Sequence, residues 1–486
     1  MPSPRHFQRG HASFPTAFDE PRPFKRSHLL VALALVLGVA AGAAHWWSTM
    51  HREAMVTTAI DLGSEAPVGT AIRSGLIDAA YARVQPSSTV PTDGLSRAPL
   101  TDDLLHEVKP LLGQAEARLI GIYQHIRQAE HRQALQAAEA LVRDHPNFQL
   151  AQLVLGDLLT LQTRPVRTLG DVPDTSALAA ADQLKALREE SRRRLAALTE
   201  RPPAGHLPRQ FLSLAPQSRH AIAIDASRSR LYLFENLTPA NTSEERAPDL
   251  RLIADYYISV GLQGIEKQVE GDKRTPLGVY YITSTLDPDK LPDLYGVGAL
   301  PINYPNALDL QRGKTGSGIW LHGTPSNQFV RAPQASDGCV VLSNQDLSRI
   351  LRTVQIRTTP VVIAERLEWV SPDGLDADRK DFAQALESWR QARSAGDEAS
   401  LRALYSDRFR QSGKDLEQVW PRLAAELRNP RPIELKDTSL LKWRDTEETM
   451  VVTFGEVAAG QSRGVTRRQY WARENGQWKI FFEGNT

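Results

Sequence analysis

The hydrophobic period of this chain changes along its length, and that change confines it to a multidomain architecture in which a helical region precedes a β-rich one. Over residues 101–203 apolar positions recur at helical spacing. Leu135, Ala138, Leu141 and Val142 mark one face, and Leu150, Leu153, Val154 and Leu161 mark the next. Residues 134–159 read as two amphipathic helices around His145-Pro146, the pattern of a single tetratricopeptide-type unit or of a plain helical hairpin. A third helix is expected over 176–199, closed by Pro202-Pro203. From residue 218 the period becomes two: Ile222, Ile224, Leu231 and Leu233 alternate with polar or small residues around a turn at 225–229. Residues 252–260 read as another strand. A helical face returns at Phe382, Ala385, Leu386, Trp389 and Ala392. Alternating segments follow at 450–454, 469–474 and 478–482, with Asn475-Gly476 as a hairpin turn. At roughly 100–200 residues per domain, a chain of 486 residues accommodates this division.

The N-terminus carries a compartment signal. Residues 27–50 form a run of 24 without Asp, Glu, Lys or Arg, long enough for the ~20 apolar residues a spanning helix needs. Arg22, Lys25 and Arg26 precede it, and Trp46 and Trp47 sit at its far end. This order predicts a single-pass inner-membrane anchor with a cytoplasmic N-terminus and a periplasmic remainder. The rival is a cleaved signal peptide ending near Ala41-Gly42-Ala43, which would release the chain to the periplasm. Residues 51–100, rich in Ser, Thr, Pro and Gly with a weak helical pattern at 70–84, read as a linker.

Composition removes several function classes. The formal net charge of +1 gives no global field to recruit nucleic acid. A single cysteine forms no internal disulfide and no thiolate-rich zinc site, and the 12 histidines show no metal-ligand spacing, so no cofactor or metal is implied. A lone cysteine is commonly a small buried hydrophobe, so its neighbours decide its role. Cys339 follows Gly338, and His322 precedes Gly323, 17 residues upstream of the cysteine. A thiol near pKa 8.5 needs a base beside it to act as a nucleophile, and His322 is the candidate that takes the proton and later returns it. Glycines at 323 and 338 let the backbone approach a substrate, and the amides of Gly338 and Cys339 are candidate oxyanion donors. On spacing alone, a core histidine with a buried strand cysteine remains the alternative. A papain-type arrangement does not fit, because the histidine comes first.

Taken together, Thr275-Pro276-x-Gly278, His322-Gly323 and Ser336-x-Gly338-Cys339 resemble the L,D-transpeptidase catalytic domain, the YkuD fold, over about 218–366. Asn303-Tyr304-Pro305-Asn306 and Gly318-Ile-Trp-Leu-His-Gly323 strengthen the likeness. The resemblance implies a mixed β-rich sandwich with Cys339 as nucleophile, His322 as general base and acid, and Gly323 supplying a carbonyl that orients the imidazole. Ser336 falls on the motif serine, Gly338 on an oxyanion amide, and Tyr304, Trp320 and Asp337 are candidate substrate-binding residues. Two departures stand out. Val341 lies two residues after the cysteine, where many relatives carry arginine, and Asp337 places a carboxylate beside the thiol, which tends to raise its pKa. The pattern is nearer a divergent branch that includes L,D-carboxypeptidases affecting cell shape. Residues 377–486 resemble an NTF2-like cone, a domain appended in that branch.

The expected architecture is therefore α+β and multidomain. It comprises a tail and membrane helix (1–50), a linker (51–100), a helical region (101–203), a YkuD-type catalytic domain (218–366) and an NTF2-like cone (377–486). The expected function is a cysteine-nucleophile L,D-transpeptidase acting on peptidoglycan stem peptides in cell wall biogenesis. The alternatives are an L,D-carboxypeptidase trimming tetrapeptides or a non-catalytic peptidoglycan-binding scaffold. The helical region is a candidate surface for a homodimer or a protein partner. The long Pro/Gly-rich stretch at 287–317 is expected to act as a lid.

Overall fold

The computed structural model describes residues 96–97, 110–172, 176, 179–239 and 247–486. The expected tail, membrane helix, helix at 70–84 and nearly all of the linker lie outside the described residues. Among the described residues, no helix is long and apolar enough to cross a membrane.

The helical region contains α1 (Gln114–Arg127), α2 (His131–Asp144), α3 (Gln149–Leu161) and α4 (Ala181–Thr199). Helix α2 stops at Asp144, two residues before Pro146, which disfavours a helical conformation in the residue ahead of it. The buried face of α2 is Ala134, Ala138 and Leu141, one step away from the stripe read from sequence, and Leu135 and Val142 are only partly covered. The cause is α1, which packs on α2 and brings Leu119, Ile122 and Ile126 into the same core. The expected hairpin is thus flanked by further helices on both sides.

The strands are, in chain order, β1 (Ser96–Arg97), β2 (Glu200–Arg201), β3 (Leu207–Pro208), β4 (Phe211–Ser213), β5 (His220–Asp225), β6 (Arg230–Asn236), β7 (Leu250–Tyr257), β8 (Val260–Gly261) and β9 (Gly278–Tyr281). They continue as β10 (Ala299–Pro301), β11 (Trp320–His322), β12 (Gln334–Ser336), β13 (Val340–Val341), β14 (Pro360–Ala364) and β15 (Trp369–Val370). The long C-terminal strands are β16 (Ile433–Arg444), β17 (Glu448–Ala458), β18 (Val465–Glu474) and β19 (Gln477–Asn485). Helices α5 (Ala307–Gln311) and α6 (Asn344–Thr353) interrupt the first set; α7 (Asp376–Ala395), α8 (Glu398–Arg402) and α9 (Leu416–Glu426) precede the second.

One five-stranded sheet runs β7-β6-β5-β14-β9, with β5 and β14 parallel and the other pairs antiparallel. A smaller sheet, β10-β11-β13, covers one of its faces across a core that includes Ile222, Ile224, Leu231, Leu321, Val340 and Ile363. The opposite face, carrying Ala223, Tyr232, Phe234 and Val362, packs on Leu441, Val451, Tyr470 and Phe481 of the C-terminal sheet. That sheet runs β19-β18-β17-β16-β4, and its far side packs on Phe382, Trp389, Tyr405 and Trp420. Because side chains alternate across a strand, Leu440 serves one core and Leu441 the other. Asn475 and Gly476 both have positive φ, as the tight β18–β19 hairpin requires.

The segments left between the expected domains carry structure. Strand β4 is the edge strand of the C-terminal sheet, and β3 pairs with β15. The expected lid at 287–317 is only partly irregular: it contains β10, which pairs with β11 from Ala299↔His322 to Pro301↔Trp320, and α5 with an Asn306 capping box.

A buried ionic cluster fastens the helical region to the five-stranded sheet. Glu116 of α1 meets Arg230 of β6 at 2.9 Å and Arg194 of α4 at 2.8 Å; Arg230 also meets Asp255 of β7 at 2.6 Å. The Arg194 guanidinium lies 4.0 Å from the centre of the Tyr257 ring.

Candidate active site

Strands β11 and β13 are parallel, with Leu321 opposite Val340 and His322 opposite Val341. Leu321 and Val340 point into the core, so Trp320 and His322 on one strand project to the other face. Continuing the register by one residue places Cys339 opposite Trp320. The sheet thereby brings the predicted nucleophile and base, 17 residues apart in sequence, to neighbouring positions on one face.

The imidazole is fixed in one tautomer. His322 Nδ1 lies 2.7 Å from the Gly323 carbonyl, and because a carbonyl only accepts, Nδ1 carries the proton and Nε2 is left as the basic nitrogen. The Tyr295 ring meets the imidazole edge-on at 5.0 Å, and the Tyr295 carbonyl accepts from the Gly323 amide at 3.0 Å. A Cβ at 323 would lie 2.0 Å from Asn344 Oδ1, which accepts from the amides of Val297 and Thr324, so glycine is required there. The Cys339 thiol is half-buried and directed at the Gly318 carbonyl, 3.5 Å away, with the Trp320 amide also donating to the sulfur.

The loop before the nucleophile is braced from two sides. Ser336 Oγ donates to the Cys339 carbonyl at 2.6 Å and accepts from the Gly338 amide at 3.1 Å. Thr275 Oγ1 accepts from the Gly261 amide and donates to the Gly338 carbonyl, both at 2.9 Å. Gly338 has φ +121°, and a Cβ would sit 2.7 Å from the Arg274 carbonyl. The Gly338 amide expected to face an oxyanion is therefore engaged by Ser336, which leaves the Cys339 amide as the candidate donor. Of the candidate substrate-binding residues, Trp320 flanks the histidine, with its ring 4.8 Å from Tyr295, and Asp337 is exposed. Tyr304 is not at the surface: it is buried, and its hydroxyl donates to the Thr315 carbonyl at 3.1 Å. Its Asn-Tyr-Pro-Asn context shapes the turn into α5 rather than a substrate wall.

Three groups near the site were not singled out from sequence. Thr275 lay within a quoted motif but without a role; Asn344 and Arg331 carried no distinguishing pattern. Arg331 matters because Val341 is buried and offers no charge. It stands in the return between His322 and Cys339, near enough for its charge to favour the thiolate and disfavour the imidazolium.

Burial sets both titrations. It pushes the Cys339 thiol up to about 11, against the Trp320 amide and Arg331, which favour the thiolate, while Asp337 acts weakly in the other direction. Burial also pushes His322 down to about 4, partly offset by the Gly323 carbonyl. Thiol and imidazole are both neutral between these values, the form in which Nε2 can accept the thiol proton as attack begins. The acid limb of kcat/KM is accordingly expected near pH 4, with a plateau through neutral pH. A limb near the ordinary histidine value of 6.5 in the measured profile would contradict this assignment. The sign for stability is the same. An unfolded chain protonates this histidine first, so its contribution to stability is lost as pH falls from 6.5 through about 4.

Asp337 stands 3.6 Å from Lys273 Nζ, and its side chain is 83% exposed. Asp337→Asn is therefore expected to lower the thiol pKa only slightly, because solvent and Lys273 already screen the charge. The pH dependence of thiol alkylation reports this shift, and a large fall would place the carboxylate against the sulfur.

Residues 219–363 match the family model of the YkuD L,D-transpeptidase catalytic domain. No curated protein matches the chain. Similar solved structures include Bd1075 of Bdellovibrio bacteriovorus, at 25% identity and TM-score 0.47, covering 58% of this chain and 98% of that one. Another is the helical cell shape determining protein Pgp2 of Campylobacter jejuni, at 22% identity and TM-score 0.43, covering 55% and 91%. An NTF2-like protein of unknown function from Shewanella baltica matches at 11% identity and TM-score 0.16, covering 23% of this chain and 94% of that one.

Proposed function

We propose that this chain is an L,D-transpeptidase that opens peptidoglycan stem peptides through a thioester on Cys339. The observation that carries the reading is the oriented imidazole of His322, held through Nδ1 by Gly323, beside the only cysteine of a domain matching the YkuD model. As the Cys339 sulfur attacks the carbonyl of the L,D bond, its proton passes to His322 Nε2. The oxygen of the tetrahedral intermediate faces the Cys339 amide. Collapse breaks the peptide bond, and the imidazolium returns the proton to the departing amine of the D-residue. An amine from a second stem peptide then attacks the thioester, giving a cross-link and regenerating the thiol. Water in place of the amine gives trimming, and Val341 in place of a surface cation favours this second reading, since an acceptor has one fewer charge to hold it. The uncharged run at 27–50 supports an envelope location, with the site on the periplasmic side.

The test is incubation of the full chain in detergent with tetrapeptide muropeptides, followed by mass spectrometry. A cross-linked or exchanged product supports transfer. Loss of the terminal D-residue without new linkage assigns trimming, and unchanged muropeptides overturn both readings.

A further inference from the structure

Resting on the function proposed above, we infer that Arg331 is a specificity-determining residue: its guanidinium binds the terminal carboxylate of the D-residue that leaves. The site would then take stem peptides with a free C-terminus directly after the scissile bond and discriminate against those continued or capped there.

The first support is the way Arg331 is held. Its carbonyl accepts from Tyr257 Oη at 3.1 Å, and the Pro333 carbonyl accepts from the Val260 amide at 2.9 Å. On the other side, the Phe329 amide donates to the Asn147 carbonyl at 3.2 Å, and its ring stacks on Phe148 at 4.4 Å. The backbone carrying Arg331 is therefore clamped between the sheet and the helical region. Fixed in this way, a side chain can present a charge at a set distance from the nucleophile.

The second support is the lack of a counter-ion. Lys267 is paired with Asp272 at 2.8 Å and Lys273 with Asp337 at 3.6 Å. Arg331 is half-buried, yet its hydrogen bond within the fold is a long one, 3.5 Å from Nη1 to the Ala335 carbonyl. Among the described residues no carboxylate stands within ion-pair distance of it. A partly desolvated guanidinium without a partner is costly, and a substrate carboxylate arriving at this point removes that cost. Burial already weighs against its charge, whereas Cys339 and Asp337 favour it.

The third support is the chemistry of the substrate. In a peptide ending at the D-residue, the carboxylate is tethered to the scissile carbonyl through one amide nitrogen and one α-carbon. The Arg331 guanidinium reaches the Ala335 carbonyl, the residue before the Ser336 that braces the Cys339 loop, so its charge stands beside the loop of the nucleophile, where so short a tether delivers the carboxylate. Guanidinium suits a planar carboxylate because it offers paired donors.

The experiment uses the full chain in detergent and two tetrapeptides, one ending in D-alanine and one in D-alaninamide, which differs in lacking the charge. The wild-type chain is expected to favour the acid by about 10- to 100-fold in kcat/KM, the value of a charged hydrogen bond. Arg331→Gln should erase the preference, slowing the acid about 10- to 100-fold more than the amide, and Arg331→Lys should recover part of the difference. Equal wild-type rates for acid and amide overturn the proposal. So does an Arg331→Gln variant that slows both peptides equally, because Arg331 would then act through the thiol and imidazole. Should the variants fail to fold, the wild-type chain alone decides: D-alanine must slow alkylation of Cys339 more than D-alaninamide does, and equal protection overturns the proposal. Turnover of neither peptide by the wild-type chain is a different result, which overturns the proposed reaction itself.

Discussion

Cys339→Ser is expected to lower turnover of a stem peptide by on the order of 10⁴-fold or more, with the fold and melting temperature preserved. Serine differs from cysteine by one atom, and the half-buried site holds either without a clash. Its hydroxyl is far less acidic and less nucleophilic, and a neutral imidazole held near pKa 4 is a poor base toward it. His322→Ala should be nearly as damaging, because the thiol near pKa 11 then has no acceptor for its proton at neutral pH. The double variant should lose little beyond either single one, since residues acting as a unit are not additive. Single-turnover assays with mass detection of the thioester measure all three. Retention of a tenth of the wild-type rate by Cys339→Ser would remove the cysteine from the mechanism.

Arg230→Met is expected to be the most damaging substitution for stability, costing about 3–5 kcal/mol, the range for breaking a buried ion pair. The methionine fills similar space but leaves Asp255 without its 2.6 Å partner and Glu116 with Arg194 alone. Burial already pushes the carboxyls of Asp255 and Glu190 up, against the attraction of the arginines, so losing one guanidinium leaves excess negative charge in the interior. Chemical denaturation should show the helical region separating from the sheet before the rest unfolds. Catalysis should suffer as well, because Asn147 and Phe148 of the helical region hold the loop that carries Phe329 and Arg331. A loss below about 1 kcal/mol would show that the cluster relaxes and that packing, not charge, joins the two parts.

Much of the chemistry was legible in the residues themselves. Gly323 is required because Asn344 occupies the space of a side chain, and Gly338 because its backbone is left-handed against the Arg274 carbonyl. Such demands are local and recur as short motifs, so His322, Ser336 and Cys339 could be singled out before any fold was known. Tyr304 shows where that reasoning overreaches, since a residue in a recognisable motif can serve the core as readily as a ligand.

The sequence by itself determined the order of helical and β-rich regions, the hairpins at 225–229 and 475–476, and the candidates for nucleophile and base. Each depends on a period or a contiguous motif, and both are written in neighbouring residues. Only the tertiary structure decided that Phe211–Ser213 completes the C-terminal sheet, that α1 rotates the buried face of α2, and that the half-buried Arg331 is held by Tyr257 beside the loop of Cys339. These depend on which surfaces meet across long separations. A strand edge, a half-buried guanidinium and a two-sided apolar strand each fit many partners in sequence, and packing selects one.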